Sequence, residues 1–147
     1  PGYYMQQAYR IPETSIQPGS GLPGSVMVPV EQMPVKSLIA APAEGDTLRK
    51  GPVTIQGVAW AGGVAVAQVE VSCDDGHTWE PARLVGDEQP YAWRHWQYVW
   101  QARQAGPTAI LCRATDARGE QQPATSPWNP GGFLWSGWDR VAVTVAA

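Results

Sequence analysis

Between residues 53 and 61 the side chains alternate: Val53, Ile55, Gly57 and Ala59 fall on one face, Thr54, Gln56, Val58 and Trp60 on the other. A period of two predicts a β-strand. Val69, Val71 and Cys73 alternate with Gln68, Glu70 and Ser72, the cleanest such signal in the chain, with one face for the core and one for water. Gly62-Gly63 between these runs offers positions for positive φ, and the pair reads as two strands joined by a tight glycine turn. Asp74-Asp75-Gly76 is a turn by composition, with Gly76 suited to the left-handed position.

Further strands follow on both sides. Residues 35–40 read as a short first strand, and residues 79–84 as one that pairs back after the turn. Residues 91–103 place Trp96, Tyr98 and Trp100 on alternate positions. A helix is the other reading of that segment, but aromatic enrichment favours sheet. Residues 108–116 put Ile110, Cys112 and Ala114 inward and Leu111, Arg113 and Thr115 outward; residues 139–146 carry Val141, Val143 and Val145 in phase. Residues 117–138 are broken by Pro123, Pro127, Pro130 and several glycines and read as loop. About seven strands with turn chemistry between them predict an all-β, two-sheet antiparallel sandwich over residues 35–147. Residues 1–34 hold Pro12, Pro18, Pro23, Pro29 and Pro34, so no regular period survives. They read as an irregular, extended arm. Tyr3, Tyr4, Met5, Tyr9 and Ile11 make that arm too apolar for a solvated tail, and it is expected to pack on something.

Composition narrows the function classes. Among 147 residues, 16% are charged, below the usual quarter, and eight are tryptophan. Few charges and many aromatics suit a chain whose surface is partly covered by another body, and equally a tryptophan-rich core. A net charge of −3 with no basic run argues against nucleic acid, and no apolar run approaches the roughly 20 residues of a membrane span. The opening residues have neither the basic start nor the apolar segment of a signal peptide. Since the chain does not begin with Met, it reads as part of a longer polypeptide. Cys73 and Cys112 are too far apart for a zinc motif. Both fall on inward phases, either bonded or reduced; the reduced, buried state is the favoured one, since neighbours within a sheet often have poor disulfide geometry.

In order, the chain carries VKSLI at 35–39, GVAWAGG at 57–63, VEVS at 69–72, DGHTW at 75–79 and AWRHW at 92–96. Further on come RATD at 113–116, Gln122-Pro123, Trp128-Asn129 and WDRV at 138–141. Together these resemble the C-terminal dimerisation domain of the sulfite oxidase family of molybdenum enzymes, bacterial sulfite dehydrogenases included. The resemblance implies an immunoglobulin-like sandwich and a homodimer. It makes the arm the tail of a preceding molybdopterin-binding domain, and the dimerisation domain residues 35–147. It further implies sulfite oxidation at a molybdenum–molybdopterin centre outside this chain, an electron acceptor such as a cytochrome, and a bacterial periplasmic location. An assimilatory nitrate reductase shares the domain and is the nearest alternative; a stand-alone binding sandwich is the alternative from another class. In the family the metal-ligating cysteine lies in the molybdopterin domain. Cys112 falls where a buried strand cysteine is common, whereas Cys73 departs from the usual aliphatic.

No GxSxG, HExxH, P-loop or dinucleotide-binding glycine pattern is present, so no catalytic residue is expected here. His77 lies in a turn, and His95 reads as packed or at an interface. Asp74 and Asp75 lack the spacing of an EF-hand. The family's anion pocket takes one arginine from this domain, and the resemblance points to Arg140. A guanidinium gives a small oxyanion fixed, paired donors; the plainer reading of Arg140 is a surface or interdomain salt bridge. Arg94, between Trp93 and Trp96, is expected to stack on an aromatic face or pair with an acid across a dimer. Trp96, Trp128 and Asn129 are expected at interfaces or in structural roles, the last two shaping the surface toward the preceding domain.

Overall fold

The computed structural model describes residues 2–19, 26–89 and 92–147. Two antiparallel sheets face each other across one core. We number the strands β3 (Lys36–Ala41), β4 (Thr47–Leu48), β5 (Gly51–Trp60), β6 (Val66–Ser72), β7 (Glu80–Pro81), β8 (Arg83–Val85), β9 (Arg94–Ala102), β10 (Gly106–Asp116) and β11 (Asp139–Val145). They follow α1 (Tyr3–Gln7), β1 (Arg10–Pro12) and β2 (Met27–Pro29) of the arm. One sheet runs β4-β11-β10-β6-β7 and the other β3-β5-β9-β8. The architecture is the immunoglobulin-like sandwich expected. Its strand pieces outnumber the seven expected because β4 adds a short parallel pairing to β11 and residues 79–84 divide in two.

The alternating phases place the core where they should. Ile55, Ala59, Val69, Val71, Ile110, Cys112, Ala114 and Val143 are buried between the sheets, and Trp96 is fully enclosed among them. At Gly57 an added Cβ would overlap the Leu38 carbonyl oxygen and the Trp96 indole. Glycine there lets the largest core side chain lie flat on β5.

Two local readings change. Residues 57–73 do not form a hairpin, because β5 and β6 belong to different sheets. The Gly62-Gly63 segment carries the chain over the edge of the sandwich. Gly62 N–H donates to Met33 O, and its missing Cβ leaves room for the Met33 backbone. Two strands whose apolar faces must meet cannot also be neighbours in one sheet. Residues 79–84 likewise switch sheets: β7 pairs with β6, then Ala82 N–H donates to Val69 O, and β8 pairs with β9. Pro81 has no N–H to continue the ladder, which suits an edge position. The strand expected from residue 91 is β9, although Pro90 and Tyr91 lie outside the described residues.

The sheets are joined by polar staples. Gln122 is 1% exposed, and its Oε1 accepts from Ser37 N (2.8 Å), Ser37 Oγ (2.8 Å) and Ala114 N (3.1 Å). Its Nε2 donates to Gly137 O at 2.8 Å. Asp139 Oδ2 accepts from Ile39 N at 2.8 Å. Ser37 and Ile39 lie on the free edge of β3, so both side chains occupy edge amides that could otherwise pair with another chain.

In the arm, α1 precedes a two-stranded ladder in which Arg10 faces Pro29 and Pro12 faces Met27. Arg10 donates to Met5 O and Met27 O, tying helix to ladder. Tyr9 packs on Phe133 with ring centres 5.4 Å apart, so the arm rests on the loop before β11.

Candidate functional site

Three surfaces of the sandwich carry the residues singled out by sequence. The outer face of the five-stranded sheet presents Glu70, Ser72, Leu111, Arg113 and Arg140, and residues 73–79 fold over it. Asp74 builds that turn: Oδ1 accepts from Ser72 Oγ (2.7 Å) and Thr78 N (2.9 Å), and Oδ2 from Thr78 Oγ1 (2.6 Å). Burial works against the charge, but the Thr78 bonds, the Ser72 bond and nearby His77 outweigh it and lower the Asp74 carboxyl to about 2. Asp75 (φ 58°) and Gly76 (φ 88°) adopt the left-handed backbone that the turn needs.

The turn delivers Trp79, whose ring meets Trp138 at 4.8 Å. The Arg113 guanidinium lies 4.1 Å from the Trp79 ring centre and 5.7 Å from that of Trp138, and its Nε donates to Glu70 at 2.8 Å. Leu111, expected to face water, is therefore covered and only 6% exposed. The stacked arginine is Arg113, which sequence reading passed over because its two indoles lie 34 residues upstream and 25 downstream. Arg94 instead donates to Gly86 O at 2.9 Å, at the rim of β9.

Arg140 stands beside this cover. Its Nε pairs with Asp75 Oδ1 at 3.3 Å, with both side chains more than half exposed (54% and 60%). The salt bridge weighed as the plainer reading is what the geometry displays. The depression around it is open and shallow, bounded by Gly45, Asp74, Pro107 and Thr144.

The second surface joins the arm to the loop at residues 127–136. Asn129 closes that loop on itself, donating to Phe133 O (2.7 Å) and accepting from Phe133 N (3.0 Å). Trp128 projects at 43% exposure and Trp135 at 65%. Trp128, with Ile11, Pro12, Pro34 and Leu134, borders a groove of about 260 Å³. Residues 121–138 contain no charged side chain. The third surface is the outer face of the four-stranded sheet, with Val99 and Trp93 at 55% and 66% exposure and Trp60 edge-on to Trp93 at 6.4 Å. Trp96 is on the inner side of this sheet and touches no surface.

Both cysteines are free. Burial raises each thiol to about 12, with Asp74 adding to the effect at Cys73. Ser37 Oγ, 3.2 Å away, pulls weakly the other way at Cys112. Cys112 is fully enclosed in the core, away from any open site. No cluster of three or more His, Cys, Asp or Glu able to hold a metal occurs among the described residues. None of their helices is long and apolar enough to cross a membrane.

The family model described as "Mo-co oxidoreductase dimerisation domain" matches residues 28–146. Mitochondrial sulfite oxidase of Macaca fascicularis is 44% identical over 129 residues, covering 80% of this chain and 23% of that protein. The NADH nitrate reductase of Chlorella vulgaris is 31% identical over 124 residues, covering 78% of this chain and 39% of that protein. This chain thus spans about a quarter of the length of the sulfite oxidases it matches. Among solved structures, the sulfane dehydrogenase SoxCD of Paracoccus pantotrophus superposes with a TM-score of 0.70 at 21% identity, over 99% of this chain and 39% of that one. At that identity the likeness is one of fold.

Proposed function

Since the chain belongs to the Mo-co oxidoreductase dimerisation domain family, we propose that it is the dimer-forming part of a molybdenum-dependent sulfite-oxidising enzyme. The observation that carries this reading is the family match over residues 28–146 combined with higher identity to sulfite oxidase than to nitrate reductase. In it, a molybdopterin-binding domain precedes the arm and supplies the metal chemistry, and this chain holds two such domains together. The arm and the Trp128-Asn129 loop meet that preceding domain, a role supported by the exposed aromatics of both and the absence of charge in the loop. Periplasmic location and a cytochrome as electron acceptor belong to the same proposal.

Metal and pterin analysis of the polypeptide that carries this chain tests the reading; absence of both removes it. Turnover of nitrate but not sulfite would move the enzyme to the nitrate reductase branch. Arg140 enters as a candidate oxyanion donor that must first leave Asp75. Loss of a charge-assisted hydrogen bond of about 1.5–3 kcal/mol predicts that Arg140→Gln raises the sulfite KM by roughly ten- to hundredfold. An unchanged KM leaves the residue only its ion pair.

A further inference from the structure

We propose that Asp75 is an internal competitor for Arg140. Resting on the reading of Arg140 as an oxyanion donor, Asp75 is the carboxylate that the substrate displaces, and its hold on the guanidinium sets the substrate affinity. The outer face of the five-stranded sheet carries two arginines held in opposite ways. Arg113 Nε meets Glu70 at 2.8 Å, both side chains are less than a fifth exposed, and the guanidinium also lies over the Trp79 and Trp138 rings. That pair is locked. Arg140 Nε meets Asp75 Oδ1 at 3.3 Å, with more than half of each side chain in water. Arg140 makes no second polar contact among the described residues. A full-strength guanidinium–carboxylate pair uses two nitrogens at about 2.7–2.9 Å. One long contact leaves both terminal nitrogens of Arg140 unused, and an exposed pair of this kind is weak.

The turn presents Asp75 independently of Arg140. Asp75 and Gly76 hold left-handed backbone at φ 58° and 88°. Asp74 ties the turn to Ser72 and Thr78, and Ser72 Oγ accepts from Gly76 N at 2.9 Å. The Asp75 carboxylate therefore stays at hand when an anion takes the guanidinium. Two other nearby acids are committed elsewhere. Asp74 accepts its three bonds inside the turn, and Glu44 Oε2 accepts from Ala142 N at 2.8 Å on the edge of β11.

An oxyanion with two oxygens side by side can engage both terminal nitrogens, a paired grip that the Asp75 contact lacks. The depression in front of the pair is open and bounded by Gly45, Pro107 and Thr144. An anion can thus reach Arg140 without opening the fold.

Steady-state sulfite kinetics on the full polypeptide that carries this chain test the competitor. Asp75→Asn keeps the side chain's size, and Asn accepts the left-handed backbone; Asp75→Gly, with no side chain, is the second variant. Both are expected to lower the sulfite KM about two- to fivefold, the scale of one exposed ion pair. The gain lies in KM rather than kcat, since the carboxylate opposes binding. In an Arg140→Gln background the same Asp75 substitutions are expected to change nothing further, because no guanidinium remains to be released. Asp87→Asn, which removes the same charge from the loop after β8, is expected to leave KM unchanged. If Arg140→Gln raises KM but neither Asp75 variant lowers it, the competitor is overturned and the role of Arg140 stands. An equal fall in KM from Asp87→Asn assigns the effect to overall charge and also overturns it. A KM indifferent to Arg140→Gln removes the oxyanion reading and the competitor with it.

Discussion

The two outer faces of this sandwich come from the same alternating pattern and end differently. On the five-stranded sheet the chain doubles back: residues 73–79 fold over Leu111, Trp79 and Trp138 meet, and Arg113 lies over both rings while pairing with Glu70. On the four-stranded sheet nothing among the described residues covers the row Leu38, Val58, His95 and Val85. One face is finished within the chain, and the other stays open and acid-free, with Val58, Val85 and Val99 set among Thr54, Gln56, His95 and Gln97. Outward hydrophobic positions thus have two meanings in one domain: those beneath a turn extend the core, and those on a bare sheet stay at the surface.

Substitutions can separate the faces, starting with the core they share. Trp96→Ala should cost about 3–5 kcal/mol in denaturant unfolding, because it empties the space that Gly57 leaves for the indole. A cost below about 1 kcal/mol would mean that Trp96 does not anchor the four-stranded sheet. Gln122→Leu removes the acceptor of Ser37 and Ala114 amides; at about 1–3 kcal/mol per buried unpaired group, the two together should cost about 2–6 kcal/mol. Equal hydrogen-exchange protection of Ser37 and Ala114 in mutant and wild type would show that water replaces the side chain.

Arg113→Met is expected to cost about 1–2 kcal/mol, from a partly buried ion pair and its stacking on two indoles. An unfolding free energy unchanged by the substitution would show that neither the ion pair nor the stacking contributes. The smallest effect is that of acid on the Asp74 turn. Its folded pKa, about 2, is below the ordinary carboxylate value near 4. The charged form therefore favours the folded state above pH 4, and that contribution fades as pH falls from about 4 to 2. Asp74 is solvent-exposed, so the gain is slight. Comparing thermal midpoints of wild type and Asp74→Asn from pH 6 to pH 2 checks it; the gap should close as pH falls.

Much of this was legible from residues alone. Strands β5, β6, β9, β10 and β11 follow from runs of alternation, and the Asp75-Gly76 turn from residues that accept positive φ. Arg113 was not legible, because no local pattern ties residue 113 to indoles at 79 and 138. Leu111 looked exposed because its phase is outward, and a phase says nothing of a turn that folds back over it. Arg140 was picked out by its motif; that it spends its guanidinium on Asp75 depends on a turn 65 residues away.

Period-two alternation, glycine positions and the order of the motifs determined that this chain is a β-sandwich of its family, because those signals act through neighbouring residues. The tertiary structure decided which sheet each strand joins, sending residues 57–73 across the core where the local pattern suggested a hairpin. It also decided which outward face is covered. Alternation marks two faces on every strand, but it is packing between distant segments that selects what each face meets.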